Sequence, residues 1–127
     1  MELRPGLSAK VELLVSDEDT APAMGSGTVA VLATPRLVAL CEQASCLAVE
    51  GTLASGQTTV GMRVQFDHLA PTRPGHGVTD EATLDKIEGR RLTFTVSASD
   101  QGGLIGAGKI TRVIVDVERF LKKAAGA

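Results

Sequence analysis

LATPRLVALCEQASCLAVEG, residues 32–51, is the stretch on which the fold turns. Its ends carry helix punctuation: Thr34 suits an N-cap, Pro35 the first helical position and Gly51 a C-terminal stop. Between them Leu37, Val38, Leu40, Cys41, Ala44, Leu47, Ala48 and Val49 leave no broad polar face, so the spacing predicts a buried helix. One residue resists that reading. Glu42 sits mid-helix, and an ionised carboxylate placed among apolar groups without partners is costly. A glutamate in that position needs a reason.

Strand-like segments surround the helix. AKVELLV (9–15) predicts a short first strand, and SDEDTAPAMGSG (16–27) a turn-rich, mobile connection. VGMRVQFDHLA (60–70) alternates with period two, which places Val60, Met62, Val64, Phe66 and His68 on one face. VTDEATLDKI and RRLTFTVSAS form a hairpin about Glu88-Gly89, with Leu92, Phe94, Val96 and Ala98 on its apolar side. DQGG turns the chain into LIGAGKITRVIVDV, and ERFLKKAAGA reads as a short helix or a frayed tail. Strand, helix, then four sequential strands give an α+β arrangement, an antiparallel sheet of about five strands around one helix. With 127 residues and no long linker, the chain is expected to form a single domain over 1–127. The apolar last strand, Ile110, Ile114, Val113 and Val115, points to a homodimer or a higher homo-oligomer.

Composition narrows the partners. The net charge is −2, Trp and Tyr are absent, and the only adjacent basic pairs are Arg90-Arg91 and Lys122-Lys123, which argues against nucleic acid. Phe66, Phe94 and Phe120 read as core residues. No run is long enough to span a membrane, and MELRPGLSAK lacks the apolar stretch of an export signal. Cys41 and Cys46 lie on different sides of one helix and cannot bridge, so free thiols and a cytoplasmic location are expected. No metal is expected either, because His68, His76, Asp67 and Glu42 have no established ligand spacing. GGLIGAG does not follow a strand and open a helix, as a phosphate loop does; its glycines suit strand bending or close packing.

The strand phase points His68 at the helix that carries Glu42, and Thr34 supplies a hydroxyl at that helix's start. A carboxylate, an imidazole and an oriented hydroxyl are the parts of a hydrolytic site. Plainer readings stay open at this level: Thr34 as a simple cap, His68 as a core histidine, and Glu42 paired with Arg63 or Arg36.

The set ATP…LCEQAS…VGMRVQFDHLAPTRPG…EGRRLTFTVSASD…IGAGKITRVIV, between about Ala33 and Phe120, resembles the fluoroacetyl-CoA thioesterase family of hot-dog enzymes. The steps from Thr34 to Glu42, Glu42 to His68 and His68 to Arg112 match the family pattern in register. The resemblance implies a hot-dog fold, a five-stranded antiparallel sheet wrapped around a central helix, dimerised with sites at or near the subunit interface. It implies acyl-CoA thioester hydrolysis, with Thr34, Glu42 and His68 as a catalytic triad. Gly61 would lie against the acyl group and Arg112 would bind substrate. Coenzyme A is then part of the substrate, and no separate cofactor is called for. A non-catalytic acyl-CoA or small-ligand binding module is the alternative, and a hydratase or dehydratase would need a different placement of acid and His. One departure stands out. The resemblance to the enzyme that gives the family its name implies a lid of phenylalanines before the threonine, whereas APAMGSGTVAVLA has no aromatic, and a lid of Met24, Val29 and Val31 would shape a different pocket.

Overall fold

The computed structural model describes residues 1–126. In chain order it contains β1 (Ser8–Leu14), a single 3-10 turn (Asp17–Asp19), α1 (Ala21–Met24), α2 (Thr34–Ala48), β2 (Gln57–His68), β3 (Gly77–Glu88), β4 (Arg91–Asp100), β5 (Gly103–Asp116) and α3 (Val117–Ala124). The strands form one sheet in the order β1-β3-β4-β5-β2, every neighbouring pair antiparallel. This is the α+β hot-dog arrangement: α2 lies across the inner face of a five-stranded antiparallel sheet.

The β3–β4 hairpin follows from its alternation. Leu92, Phe94, Val96 and Ala98 are buried, while Thr93, Thr95, Ser97 and Ser99 are exposed or half-buried. Only Gly89 and Arg90 separate the two strands, and Gly89 takes a left-handed φ of 63° in that tight connection. Leu37, Leu40, Cys41 and Ala44 of α2 join Leu84, Leu92, Phe94, Val96 and Ile110 of the sheet in one core. The burial of α2 is one-sided. Pro35, Ala39, Gln43, Cys46 and Leu47 face outward, so a small-residue and apolar stripe is uncovered in the single chain.

Inside the core the Cys41 thiol donates to Asp80 Oδ2 at 2.8 Å. Burial pushes the Asp80 carboxyl up to about 6 and raises the thiol as well. Both cysteines are free.

The chain between β1 and α2 is more ordered than its composition predicts. Asp19 accepts hydrogen bonds from the backbone and hydroxyl of Ser16, and Arg36 reaches back from α2 to Asp19 at 2.9 Å. The Ala33 amide donates to the Asp19 carbonyl. These bonds lock the 3-10 turn against the start of α2. They also correct the expected N-cap: Ala33 occupies that position, and Thr34 is the first helical residue, with its hydroxyl free for another partner.

Strand β2 departs from strict alternation. Its pairing with β5 shifts between Gly61 and Arg63, which leaves Met62 as an extra residue. Before the bulge Thr59 and Gly61 face the helix, and after it Val64, Phe66 and His68 do. Val60 and Met62 therefore do not share the face of His68, because one inserted residue reverses the side-chain phase. The glycines of GGLIGAG serve close packing. A Cβ on Gly106 would fall 2.4 Å from the Phe66 ring, and one on Gly108 would fall 2.1 Å from the Gln65 carbonyl. No described helix is long and apolar enough to cross a membrane.

Candidate active site

Two polar pairs occupy the α2–β2 face. At the start of α2 the Thr34 hydroxyl lies 2.8 Å from His68 Nδ1, at the end of β2. His68 Nε2 is buried and has no hydrogen-bond partner. Burial depresses the imidazole below the usual histidine range, and the Ala70 backbone offsets part of this, so the ring favours its neutral form. A neutral imidazole with one nitrogen held by a hydroxyl and the other unoccupied is equipped to accept a proton. A cavity of about 300 Å³ opens on this pair, lined also by Val29, Val31, Leu69 and Pro71 and by no Asp, Glu, Lys or Arg side chain. Of the expected lid residues, Val29 and Val31 border it and Met24 does not.

The second pair lies two turns along the helix. Glu42 Oε2 accepts from Arg112 Nη1 at 2.8 Å. Arg112 is only 7 % exposed, and its other nitrogens are also engaged: Nε donates to Thr59 Oγ1 and Nη2 to the Thr59 carbonyl, both at 2.9 Å. Such a fork needs the planar, fixed donors of a guanidinium. Gly61, directly across the sheet from Arg112, makes room for the carboxylate, since a Cβ there would lie 2.6 Å from Glu42 Oε2. Glu42 keeps about a third of its side-chain surface accessible (35 %), so it is pinned but reachable.

The structure thus resolves the alternatives for Glu42. Arg36 is taken by Asp19, Arg63 is exposed at the bulge, and Arg112 holds the carboxylate. Thr59 was missed in the sequence: its contact with Arg112 spans 53 positions, and the bulge hides its inward phase. Within one chain the two pairs stay apart. Thr34 and Glu42 are eight residues apart on α2, about 12 Å at the helical rise of ~1.5 Å per residue, and Glu42 bonds to Arg112 rather than to His68. A second cavity of about 340 Å³, bordered by Cys46, Leu47, Leu53 and Thr59, lies beside the Glu42 end. Among the described residues no three His, Cys, Asp or Glu side chains converge as metal ligands would.

This fold, with a half-buried carboxylate–guanidinium pair and a neutral imidazole set against one helix, is that of a hot-dog thioester hydrolase. The chain belongs to the fluoroacetyl-CoA-specific thioesterase family, FlK, which it matches over residues 15–118. A fluoroacetyl-CoA thioesterase of Streptantibioticus cattleyicolor is 39 % identical over 93 residues, which make up 73 % of this chain and 67 % of that protein. A solved structure of the fluoroacetyl-CoA thioesterase FlK superposes with a TM-score of 0.94 at 30 % identity, covering 99 % of this chain and 98 % of that one. A FlK variant in complex with fluoroacetate and CoA superposes with a TM-score of 0.86 at 31 % identity, over 93 % and 99 % of the two chains.

Proposed function

We propose that the chain hydrolyses an uncharged, small or medium acyl-CoA to the free acid and coenzyme A, using Thr34, Glu42 and His68 and no cofactor. The observation that carries this reading is the pinned but accessible Glu42 carboxylate on the same helix face as the neutral His68. Glu42 either takes a proton from the attacking water or itself attacks the thioester carbonyl. Both routes break the C–S bond and leave a thiolate that needs a proton. In the second route water then opens the resulting anhydride. In both, neutral His68, fixed by Thr34, takes up the proton that the water releases and delivers it to the thiolate. The apolar lining beside Thr34 and His68 favours an uncharged acyl group over a dicarboxylic one. Without the aromatic lid, acyl groups bulkier than fluoroacetyl fit the reading. A panel of acyl-CoA thioesters of rising length, with fluoroacetyl-CoA included and free-thiol release followed, should show turnover on the shorter uncharged members. Tight binding of every member with no turnover would leave only a binding module.

We infer a closed homodimer in which Glu42 of one copy meets the Thr34–His68 pair of the other. The support is the separation of the two pairs within a chain, together with the uncovered stripe on α2 and the exposed Met62 and Val64 on edge strand β2. The two unpaired thiols support a cytoplasmic location, and recovery only from an exported fraction would overturn it.

The protonation of His68 sets a pH dependence. Its pKa lies below 6.5 in the fold, chiefly because burial disfavours the charged ring. The base is therefore in its working form above that lowered pKa and is lost as pH falls through it. The acid limb of kcat/KM, which reports groups of the free enzyme, should lie below the ordinary histidine value. A limb at or above 6.5, measured between about pH 5 and 8, would contradict the assignment.

A further inference from the structure

The corner where α3 meets the β3–β4 turn gathers the basic residues that look scattered in the sequence. A groove of about 320 Å³ is lined there by Arg90, Val113, Val115, Arg119, Phe120 and Lys123. Asp116, also in the lining, pairs with Arg90 at 3.7 Å, and Arg90 additionally donates to the Ile114 carbonyl. Arg119 and Lys123 have no ion-pair partner among the described residues. They stand four positions apart on α3, one turn of the helix, so both present to the same side. Phe120 lies between them. It is 40 % exposed, whereas Phe94 is wholly buried, so the expectation that all three phenylalanines serve the core fails here. The start of α3 is tied down by the Val117 amide, which donates to the Gly56 carbonyl at 2.9 Å.

Two uncompensated cations beside an open aromatic ring and a valine floor match one kind of ligand, a flat heterocycle carrying phosphates. The ring and valines would take the base, and the guanidinium and ammonium groups would take the phosphates. The chain is net acidic, so this positive corner is a local attraction rather than part of a general basic surface. The groove uses the stretch of β5 that also holds Arg112. Arg112 points towards the helix, and its neighbour Val113 lines the groove on the other face. We propose that the groove binds the nucleotide end of coenzyme A, with the adenine on Phe120 and the phosphates on Arg119, Lys123 and Arg90. The proposal rests on the acyl-CoA reading above. It assigns substrate recruitment to this corner and leaves Arg112 to hold Glu42.

The test combines a charge-reversed variant, Arg119→Glu with Lys123→Glu, and a nucleotide fragment. Both positions are on the exposed face of a terminal helix, and Glu is a good helix former, so the fold should persist. KM for the best acyl-CoA should rise at least ~10-fold, the scale of one lost charge-assisted contact. The corresponding acyl-N-acetylcysteamine thioester, which lacks the nucleotide, should show no such rise. Wild-type KM for acyl-CoA should also increase with salt, since exposed charges are screened. In a titration with adenosine 3′,5′-bisphosphate, amide resonances of α3 should shift in the wild type and not in the variant. An unchanged KM in an active variant would overturn the groove while leaving the thioesterase reading intact. If the wild type cleaves no thioester, that reading falls instead, and the bisphosphate titration alone decides the groove; absence of shifts on α3 would overturn it.

Discussion

Glu42→Gln and His68→Ala should each lower kcat/KM for the best acyl-CoA by at least ~10²-fold, the scale for losing a positioned acid or base. The two losses have different causes. In Glu42→Gln the amide can still accept from Arg112 Nη1, so the geometry survives while the negative charge and basicity vanish. In His68→Ala the Thr34 hydroxyl loses its partner and the proton acceptor is gone. Neither variant should unfold. Glu42 is a charged group on a mostly apolar helix, and His68 has a buried nitrogen without a partner, so both are costs borne for function. Near-wild-type rates in both folded variants would remove these residues from the chemistry.

Arg112→Ala should be the more damaging change to the protein itself. It deletes three hydrogen bonds at once, two to Thr59 and one to Glu42. The Thr59 hydroxyl and carbonyl are left buried and unpaired, and a cavity replaces the guanidinium. Glu42, about a third exposed, regains some hydration, which trims the electrostatic part of the loss. We expect destabilisation on the order of 3 kcal/mol, or a fall in Tm of about 4 °C for each kcal/mol in a chain of this size. Activity should drop equally on acyl-CoA and on the N-acetylcysteamine thioester, because the lost function is the placement of Glu42. Arg112→Lys keeps the charge without the fork, so it should recover only part of either loss. A rise in KM for acyl-CoA alone, with kcat and stability intact, would return Arg112 to substrate recruitment.

The α2 helix was legible because its apolar residues run between a Pro-marked start and a glycine stop. The β3–β4 hairpin was legible because Leu92, Phe94, Val96 and Ala98 alternate without interruption. Thr34, Glu42, Gly61, His68 and Arg112 could be singled out in advance, but the partners of Glu42 and Arg112 could not. Arg112 reaches Glu42 across 70 positions and Thr59 across 53, and no local pattern encodes such contacts. The Met62 bulge was invisible for a related reason. Strict alternation gives His68 its inward direction by counting back from the strand's end, but one extra residue turns Thr59 and Gly61 inward in place of Val60 and Met62. Residues 16–27 looked mobile because Ser, Asp, Thr and Gly are turn formers. Their order comes from Asp19, whose partner Arg36 lies on the following helix.

Subunit mixing tests whether a working site combines Glu42 of one copy with Thr34 and His68 of another. Glu42→Gln and His68→Ala chains, each inactive alone, are co-expressed in equal amounts, and dimer formation is checked by light scattering. In a closed dimer about half of the molecules are then mixed, and each mixed dimer holds one site with both Glu42 and His68 intact. Recovery of about one quarter of the wild-type rate per chain is expected of such a shared site. Mixed dimers that stay as inactive as their parents, or a protein that remains monomeric at working concentration, would mean that each chain builds its site alone and would contradict it.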